Sequence, residues 1–299
     1  MRRLSHTAPE TVGAAIERCA RAMRRARLHF GHGTDNPRDE AAELVFFAAG
    51  LSHEAGNTVY GKPLTALRRE RIERLLRERI RRRVPLAYLT HRAFFAGLEL
   101  YVDERVLVPR SPIAELIERR FEPWAKPHRR VRRILDIGTG SGAIALASAA
   151  AFPRASVDAA DISTDALRVC RRNVRRLGLG ERVEVIESDH FGALGDRRYD
   201  IIVSNPPYVG RDEMRTLPRE YRHEPKIGLA SGIDGLDSVR EILSAAPRHL
   251  TDGGILVVEV GNTEDALMRA FPRLPFVWPD IAMGGGGVFI LQAAALKGS

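Results

Sequence analysis

Residues 131–142 read V-R-R-I-L-D-I-G-T-G-S-G, an apolar strand that carries Asp136 and runs into Gly138, Gly140 and Gly142 before a small-residue helix over 143–151. Few folds accommodate such a join. Glycine lets the backbone turn tightly and approach a ligand with no Cβ in the way, and the helix behind it opens with free N–H groups. The unit belongs to an α/β protein with a parallel sheet, and its loop suits a nucleotide cofactor. Further apolar runs follow at 155–160, 183–186 and 200–204, with a helical pattern over 164–177 carrying Asn173 inside it. The second run ends at Asp161 and Ile162, where a carboxylate suits a pair of ribose hydroxyls. The third leads to Ser188-Asp189-His190-Phe191, where Asp189 can accept from an adenine amine while Phe191 packs nearby and His190 lies between them. Either acid could instead cap the helix that follows it. A dinucleotide-binding fold shares these features, so the cofactor stays open at this point.

The fourth run, Asp200 to Ser204, meets Asn205-Pro206-Pro207-Tyr208. Two consecutive prolines stop a strand, since neither can donate to a ladder. The tetrapeptide therefore turns outward at the strand's carboxyl end, where open α/β sheets place their ligands. A planar NH2 group is a poor nucleophile because its lone pair is delocalised. A site that accepts both N–H bonds can draw that nitrogen toward tetrahedral geometry, and Asn205 offers a side-chain carbonyl while the rigid Pro206 can aim its backbone carbonyl at the same point. Tyr208 supplies an aromatic wall. An ordinary strand-to-loop turn would also use Asn-Pro.

The order strand, glycine loop, helix, acid, strand, acid, strand, Asn-Pro-Pro-Tyr resembles the class I S-adenosylmethionine-dependent methyltransferases. Within them, 106–117 (V-L-V-P-R-S-P-I-A-E-L-I), the tetrapeptide and 217–225 (L-P-R-E-Y-R-H-E-P) are similar to the bacterial protein-glutamine N5-methyltransferases, over most of the chain. One branch of that family acts on peptide chain release factors and another on the third large-subunit ribosomal protein. The first usually continues the Pro-Arg dipeptide with Pro, an acid, Thr and Glu; here Ser111-Pro112-Ile113-Ala114-Glu115 follows, as in the ribosomal-protein branch. The resemblance implies a Rossmann-like, mostly parallel seven-stranded sheet with a small helical N-terminal domain and a connecting β-hairpin. It implies S-adenosyl-L-methionine held by Asp136, Gly138, Gly140, Gly142, Asp161, Ile162, Asp189, His190, Phe191 and Asn205. Catalysis would rest on Asn205, Pro206 and Tyr208, with Pro207, Arg110 and Glu224 also meeting the protein substrate or its lid. Release-factor methylation, adenine N6-methylation of DNA or RNA by base flipping, and a non-enzymatic ribosome-assembly factor that keeps the fold for cofactor binding alone are the alternatives.

The chain has 299 residues, enough for two domains, and 44% hydrophobic with 28% charged residues is ordinary for a globular protein. No apolar run is long enough to span a membrane. Residues 1–7 carry charge but lack the apolar centre of a signal peptide. Cys19 and Cys170 lie far apart in Arg-rich helical patterns, which points to reduced thiols in a cytoplasmic protein. His29, His32 and His53 have no zinc-site spacing, so no metal is expected.

Charge is uneven. Residues 1–90 hold 18 Arg or Lys against 10 Asp or Glu, nearly all of the net +9. That excess suits contact with ribosomal RNA phosphates. Arginine bias explains it equally, since Arg accounts for 43 of the 47 basic residues and those at 68–83 interleave with Leu and Ile as a solvated amphipathic helix would.

Helices are expected over 11–29, ended by Gly31 and Gly33, over 39–50 behind Pro37, and from a Thr65 cap to about Arg83; 84–89 leaves helical patterning. Residues 93–102 read as a hairpin turning near Gly97. The expected division is a helical substrate-recognition domain, 1–90, a hairpin linker, 91–108, and a methyltransferase catalytic domain, 109–299. Residues 106–108 look strand-like. The long stretch 209–236 is expected to be a lid over the target, with Glu224 able to orient it or to stand in solvent. Glu259, on the strand from 254, is given a structural or loop-bonding role.

Overall fold

The computed structural model describes residues 9–52, 55–127, 130–282 and 286–297. The first seven residues discussed above and His53 lie outside them. The chain forms two compact units, one of Met1–His91 with Pro218–His223 and the other of Arg92–Leu217 with Glu224–Ser299.

The smaller unit is helical. α1 (Val12–Arg25) starts where the Thr11 side chain accepts from the Ala14 N–H, and it buries Val12, Ala15, Ile16, Cys19 and Met23. It stops before the expected His29, because Arg27 turns to φ 50° and breaks the helical path. α2 (Pro37–Ala49) follows the cap Asn36, has proline in its first turn and ends at left-handed Gly50. α3 (Ala66–Arg82) follows the Thr65 cap. Leu44, Val45, Phe46, Ile72 and Leu76 join the α1 residues in one core. The expectation that 84–89 is not helical is corrected: Pro85 opens a single turn, α4 (Leu86–Thr90), since proline is tolerated at a helix start.

Arg79 is wholly buried. Its Nε donates to Glu40 at 2.6 Å and Nη2 to the His29 carbonyl at 2.9 Å. The 3-10 turn Arg219–His223, remote in sequence, folds as part of this unit. Its Glu220 accepts from the His29 N–H at 3.0 Å and from Arg83 at 3.1 Å, and lies 3.6 Å from Arg79. Buried charges are tolerable only when so matched.

The larger unit opens with a hairpin, β1 (Ala93–Phe95) and β2 (Leu98–Leu100), turning at Gly97 with φ 76°. Phe95 and Leu100 lie in this unit's core, so the hairpin is part of it and not a separate linker. Residues 106–108 form no strand; the Val108 N–H donates to the Glu224 carboxylate instead of to a ladder. α5 (Ile113–Glu118) precedes the alternation β3 (Arg133–Ile137), α6 (Ala143–Ala151), β4 (Ser156–Asp161), α7 (Thr164–Arg176), β5 (Val183–Glu187) and β6 (Tyr199–Ser204). Then come α8 (Arg211–Thr216), α9 (Asp237–His249), β7 (Leu250–Glu259), α10 (Glu264–Ala270), β8 (Val288–Gln292) and α11 (Ala293–Lys297).

The sheet runs β5-β4-β3-β6-β7-β8, parallel except for β8. Successive residues of β3 face opposite sides, Ile134 entering one core with α6 and Leu135 the other with α9. Six strands are present among the described residues, where seven were expected. At the place of a seventh, Val277 makes a single antiparallel bridge to Ile290. Pro272, Pro275 and Pro279 flank that bridge and withhold the donors a longer ladder needs.

Candidate active site

The register of the sheet aligns the residues singled out in the sequence. Ser204 lies opposite Ile137 on one side and Val258 on the other, and Ile137 lies opposite Ala160. The residues that follow, Asn205, Gly138, Glu259 and Asp161, therefore stand in one row at the carboxyl edge. Strand spacing puts Asp161 roughly 10 Å from Asn205, two strands away.

The glycine loop is built by backbone bonds. Gly138 and Thr139 both donate to the Ala160 carbonyl, at 2.9 and 3.0 Å. Gly138, Gly140 and Gly142 have φ of 71°, 55° and 85°, which other residues rarely adopt. A Cβ at Gly140 would meet nothing within 4 Å, so the loop's outer face is open, whereas at Gly142 it would come 2.8 Å from Cys170 Sγ. Asp136 is fully buried: Oδ2 accepts from Thr139 Oγ1 at 2.6 Å and from the Ala145 N–H at 3.0 Å, while Oδ1 has no partner among the described residues. Burial raises its pKa to about 7 against the pull of those two bonds, with the Asp161 charge adding to the rise.

Asp161 Oδ2 accepts from the Gly140 N–H and Oδ1 from the Ser163 N–H, both at 2.8 Å. The cap of α7 is Ser163, whose side chain accepts from Ala166. Asp161 thus braces the glycine loop, with a lone pair left on each oxygen. Burial pushes its carboxyl up, against the backbone bonds. Ile162 beside it is 52% exposed, an open apolar surface at the same edge. On β5's end, Asp189 is exposed and bonded to His190 Nδ1 at 2.7 Å. Phe191 is buried in the core, stacked on His249 with centroids 4.6 Å apart.

Asn205 is half-buried, and among the described residues its side-chain amide has no hydrogen-bond partner. Pro206 is buried; Pro207 and Tyr208 are half-buried. The chain beyond is pinned by Val209, which donates to the Leu229 carbonyl and accepts from the Ser231 N–H. Arg110 and Glu224, read separately as substrate contacts, hold each other in a two-pronged ion pair of 2.5 and 2.8 Å. Glu224's carboxylate is fully buried, which excludes the solvent-exposed alternative.

Three partnerships were missed in the sequence. Asn173 holds the Ser141 carbonyl at 2.8 Å and both backbone groups of Tyr101, at 2.8 and 3.0 Å; its signal was a polar residue on the buried face of α7. Ser111 donates to Glu259, and Tyr208 does the same. The Glu220 cluster had no local signal, because its members lie up to 191 positions apart.

Residues 124–218 match the family model described as a methyltransferase small domain. The ribosomal protein uL3 glutamine methyltransferase of Xanthomonas campestris pv. campestris is 46% identical over 91% of this chain and 87% of its own length. The chain belongs to that family. The protein of the same description from Francisella tularensis subsp. tularensis is 42% identical over 88% of this chain and 84% of its own. Among solved structures, the hMettl16 catalytic domain in complex with a MAT2A 3′UTR hairpin overlays with a TM-score of 0.51 at 16% identity, over 66% of this chain and 75% of its own. That likeness concerns the class I methyltransferase fold alone. The methyltransferase has the mostly parallel sheet and glycine loop of that fold, with helices on both faces.

Proposed function

We infer that the enzyme methylates the side-chain amide nitrogen of a glutamine in ribosomal protein uL3, with S-adenosylmethionine as the donor. The observation that carries the site assignment is the Asn205 amide, unpartnered among the described residues, standing next to the open glycine loop on adjacent strand ends. Release-factor methylation is set aside on two relatives that both bear the uL3 description.

The residues at the sheet edge fit the donor. The orphaned Asp136 Oδ1 suits its cationic amino group, the spare lone pairs of Asp161 its ribose hydroxyls, and the exposed Ile162 one face of its adenine. When bound, S-adenosylmethionine supplies a methyl group on a sulfonium, an excellent leaving group. The chain's own task is alignment and exclusion of water. Asn205 Oδ1 and the Pro206 carbonyl accept the two N–H bonds of the glutamine NH2 and turn its lone pair toward the methyl. As positive charge develops on that nitrogen the same two oxygens stabilise it, and one N–H proton is lost to solvent after transfer, so no covalent intermediate is required. Tyr208 walls the amide, while the Arg110–Glu224 pair and the Val209 bonds hold the following segment over it.

Recognition of one protein needs more surface than an amide offers. The helical unit is the candidate. Arg71, Arg74, Arg77 and Arg81 are exposed along α3 at spacings of three and four, which places them on neighbouring turns of its solvent side. These cations suit the phosphates of ribosomal RNA accompanying uL3. No helix among the described residues is long and apolar enough to cross a membrane, and a ribosomal substrate suits a cytoplasmic enzyme. The decisive experiment is mass spectrometry of uL3 from cells lacking this gene; an unchanged methylated glutamine would refute the assignment.

A further inference from the structure

Behind the acceptor tetrapeptide lies a carboxylate that the transfer described above does not use. Glu259 ends β7 beside Asn205 and is buried. Its Oε1 accepts from the Tyr208 hydroxyl at 3.0 Å and its Oε2 from Ser111 Oγ at 2.5 Å. Ser111 Oγ in turn accepts from the Ile113 N–H at 3.2 Å, which leaves its proton directed at Glu259. Tyr208 is also fixed by shape. A Cβ at Gly261, where φ is +49°, would lie 2.6 Å from its ring, and one at Gly235, where φ is +82°, would lie 2.3 Å from its carbonyl oxygen.

A residue that only walls a pocket needs apolar packing. Burying a carboxylate costs several kcal/mol of hydration, and a neutral acceptor would hold a tyrosine hydroxyl equally well. What a carboxylate adds is charge. A phenol that donates to an anion is richer in electrons, and its ring face attracts positive charge more strongly.

We propose that Glu259 is a positioning residue for methyl transfer: it holds Tyr208 by the hydroxyl, with Ser111 completing the carboxylate's bonds, and makes the ring face more negative where the positively charged methyl passes. No bond is made or broken at Glu259. The inference rests on reading Tyr208 as a wall of the transfer site.

The test compares Glu259→Gln, Tyr208→Phe and the double variant, using purified uL3 and tritiated S-adenosylmethionine. Glu259→Gln should lower kcat about tenfold or more, while the KM for uL3 and the Kd for S-adenosylmethionine stay within about twofold. In the Tyr208→Phe background the same substitution should have no further effect, because the link runs through the hydroxyl. Wild-type kcat for Glu259→Gln, or additive losses in the two backgrounds, would overturn the proposal. If Glu259→Gln does not fold, Ser111→Ala takes its place; a kcat loss that Tyr208→Phe masks is expected, and an unmasked one counts against the link. Asn205→Ala separates the two levels. Normal turnover by that variant removes the site itself, whereas an inactive Asn205→Ala beside an unaffected Glu259→Gln removes only the role given to Glu259.

Discussion

At the residue scale, the proposed mechanism gives Asn205 and Asp136 different tasks, one toward the acceptor and one toward the donor. Asn205 has nothing to do for the fold, since its amide is unpartnered among the described residues. Asn205→Ala should therefore bind S-adenosylmethionine normally by calorimetry yet lose roughly a hundredfold or more in kcat, the scale of one preorganised electrostatic contact. Asp136 is bound to the fold and to pH. Its carboxyl, raised from 3.8 to about 7 by burial, is mostly protonated in the cofactor-free enzyme below neutrality. A raised acid stabilises the fold fully below its unfolded value and loses that contribution as pH climbs through the folded one, so the free enzyme should lose stability between about pH 4 and 7. A cation at Oδ1 favours the ionised form. Affinity for S-adenosylmethionine should accordingly rise with pH up to about 7 and then level, with protons released to the buffer on binding. Calorimetry in buffers of different ionisation heat checks this, and Asp136→Asn should abolish the proton release.

At the scale of elements, the segment after Tyr208 is the least predictable from local sequence and the most tied down. Proline and glycine content marks it as irregular, yet it contains α8 and short 3-10 turns. Its conformation is set by Glu224, buried against Arg110 and the Val108 N–H. Glu224→Ala leaves both donors without that carboxylate and should cost roughly 2 to 4 kcal/mol of stability. The loss should appear as faster amide exchange around 224–236 and a higher KM for uL3, with S-adenosylmethionine affinity unchanged. An unaltered KM would mean that the segment takes no part in holding the protein substrate.

For the whole molecule, the proposed function gives target choice to the helical unit and amide chemistry to the larger one. Truncation at residue 91 is a poor test, because it strips Glu220 of the His29 N–H and of Arg83 and leaves a carboxylate that is otherwise buried. Charge is the better probe. Glu substitutions at Arg71, Arg74, Arg77 and Arg81 should weaken binding to uL3 presented with ribosomal RNA and flatten its dependence on salt by about one unit of slope per lost phosphate contact. Methylation of free uL3 should be unaffected. Equal losses on both substrates would assign this face to the protein instead of the RNA.

Local chemistry made the catalytic unit legible from the sequence. Glycines at 138, 140 and 142 and the prolines at 206 and 207 each act on their own backbone, so their effect is written where they stand. The helix starts at Thr11, Asn36 and Thr65 follow from one side chain meeting an N–H two or three residues ahead. The remainder needed three dimensions. The stacking of Phe191 on His249 joins rings 58 positions apart, so no local pattern announces it. Arg110 and Glu224 looked like two contacts and are one ion pair. Glu220 sits in a stretch read as a lid, but its partners come from residues 29 and 83. A carboxylate's partner is chosen by which chain segments are brought together, and burial decides whether that partner is required. Sequence alone thus determined the glycine turn after β3 and the outward turn at Asn205-Pro206-Pro207, whereas the fold decided which charges pair, since only packing removes the water that would otherwise satisfy them.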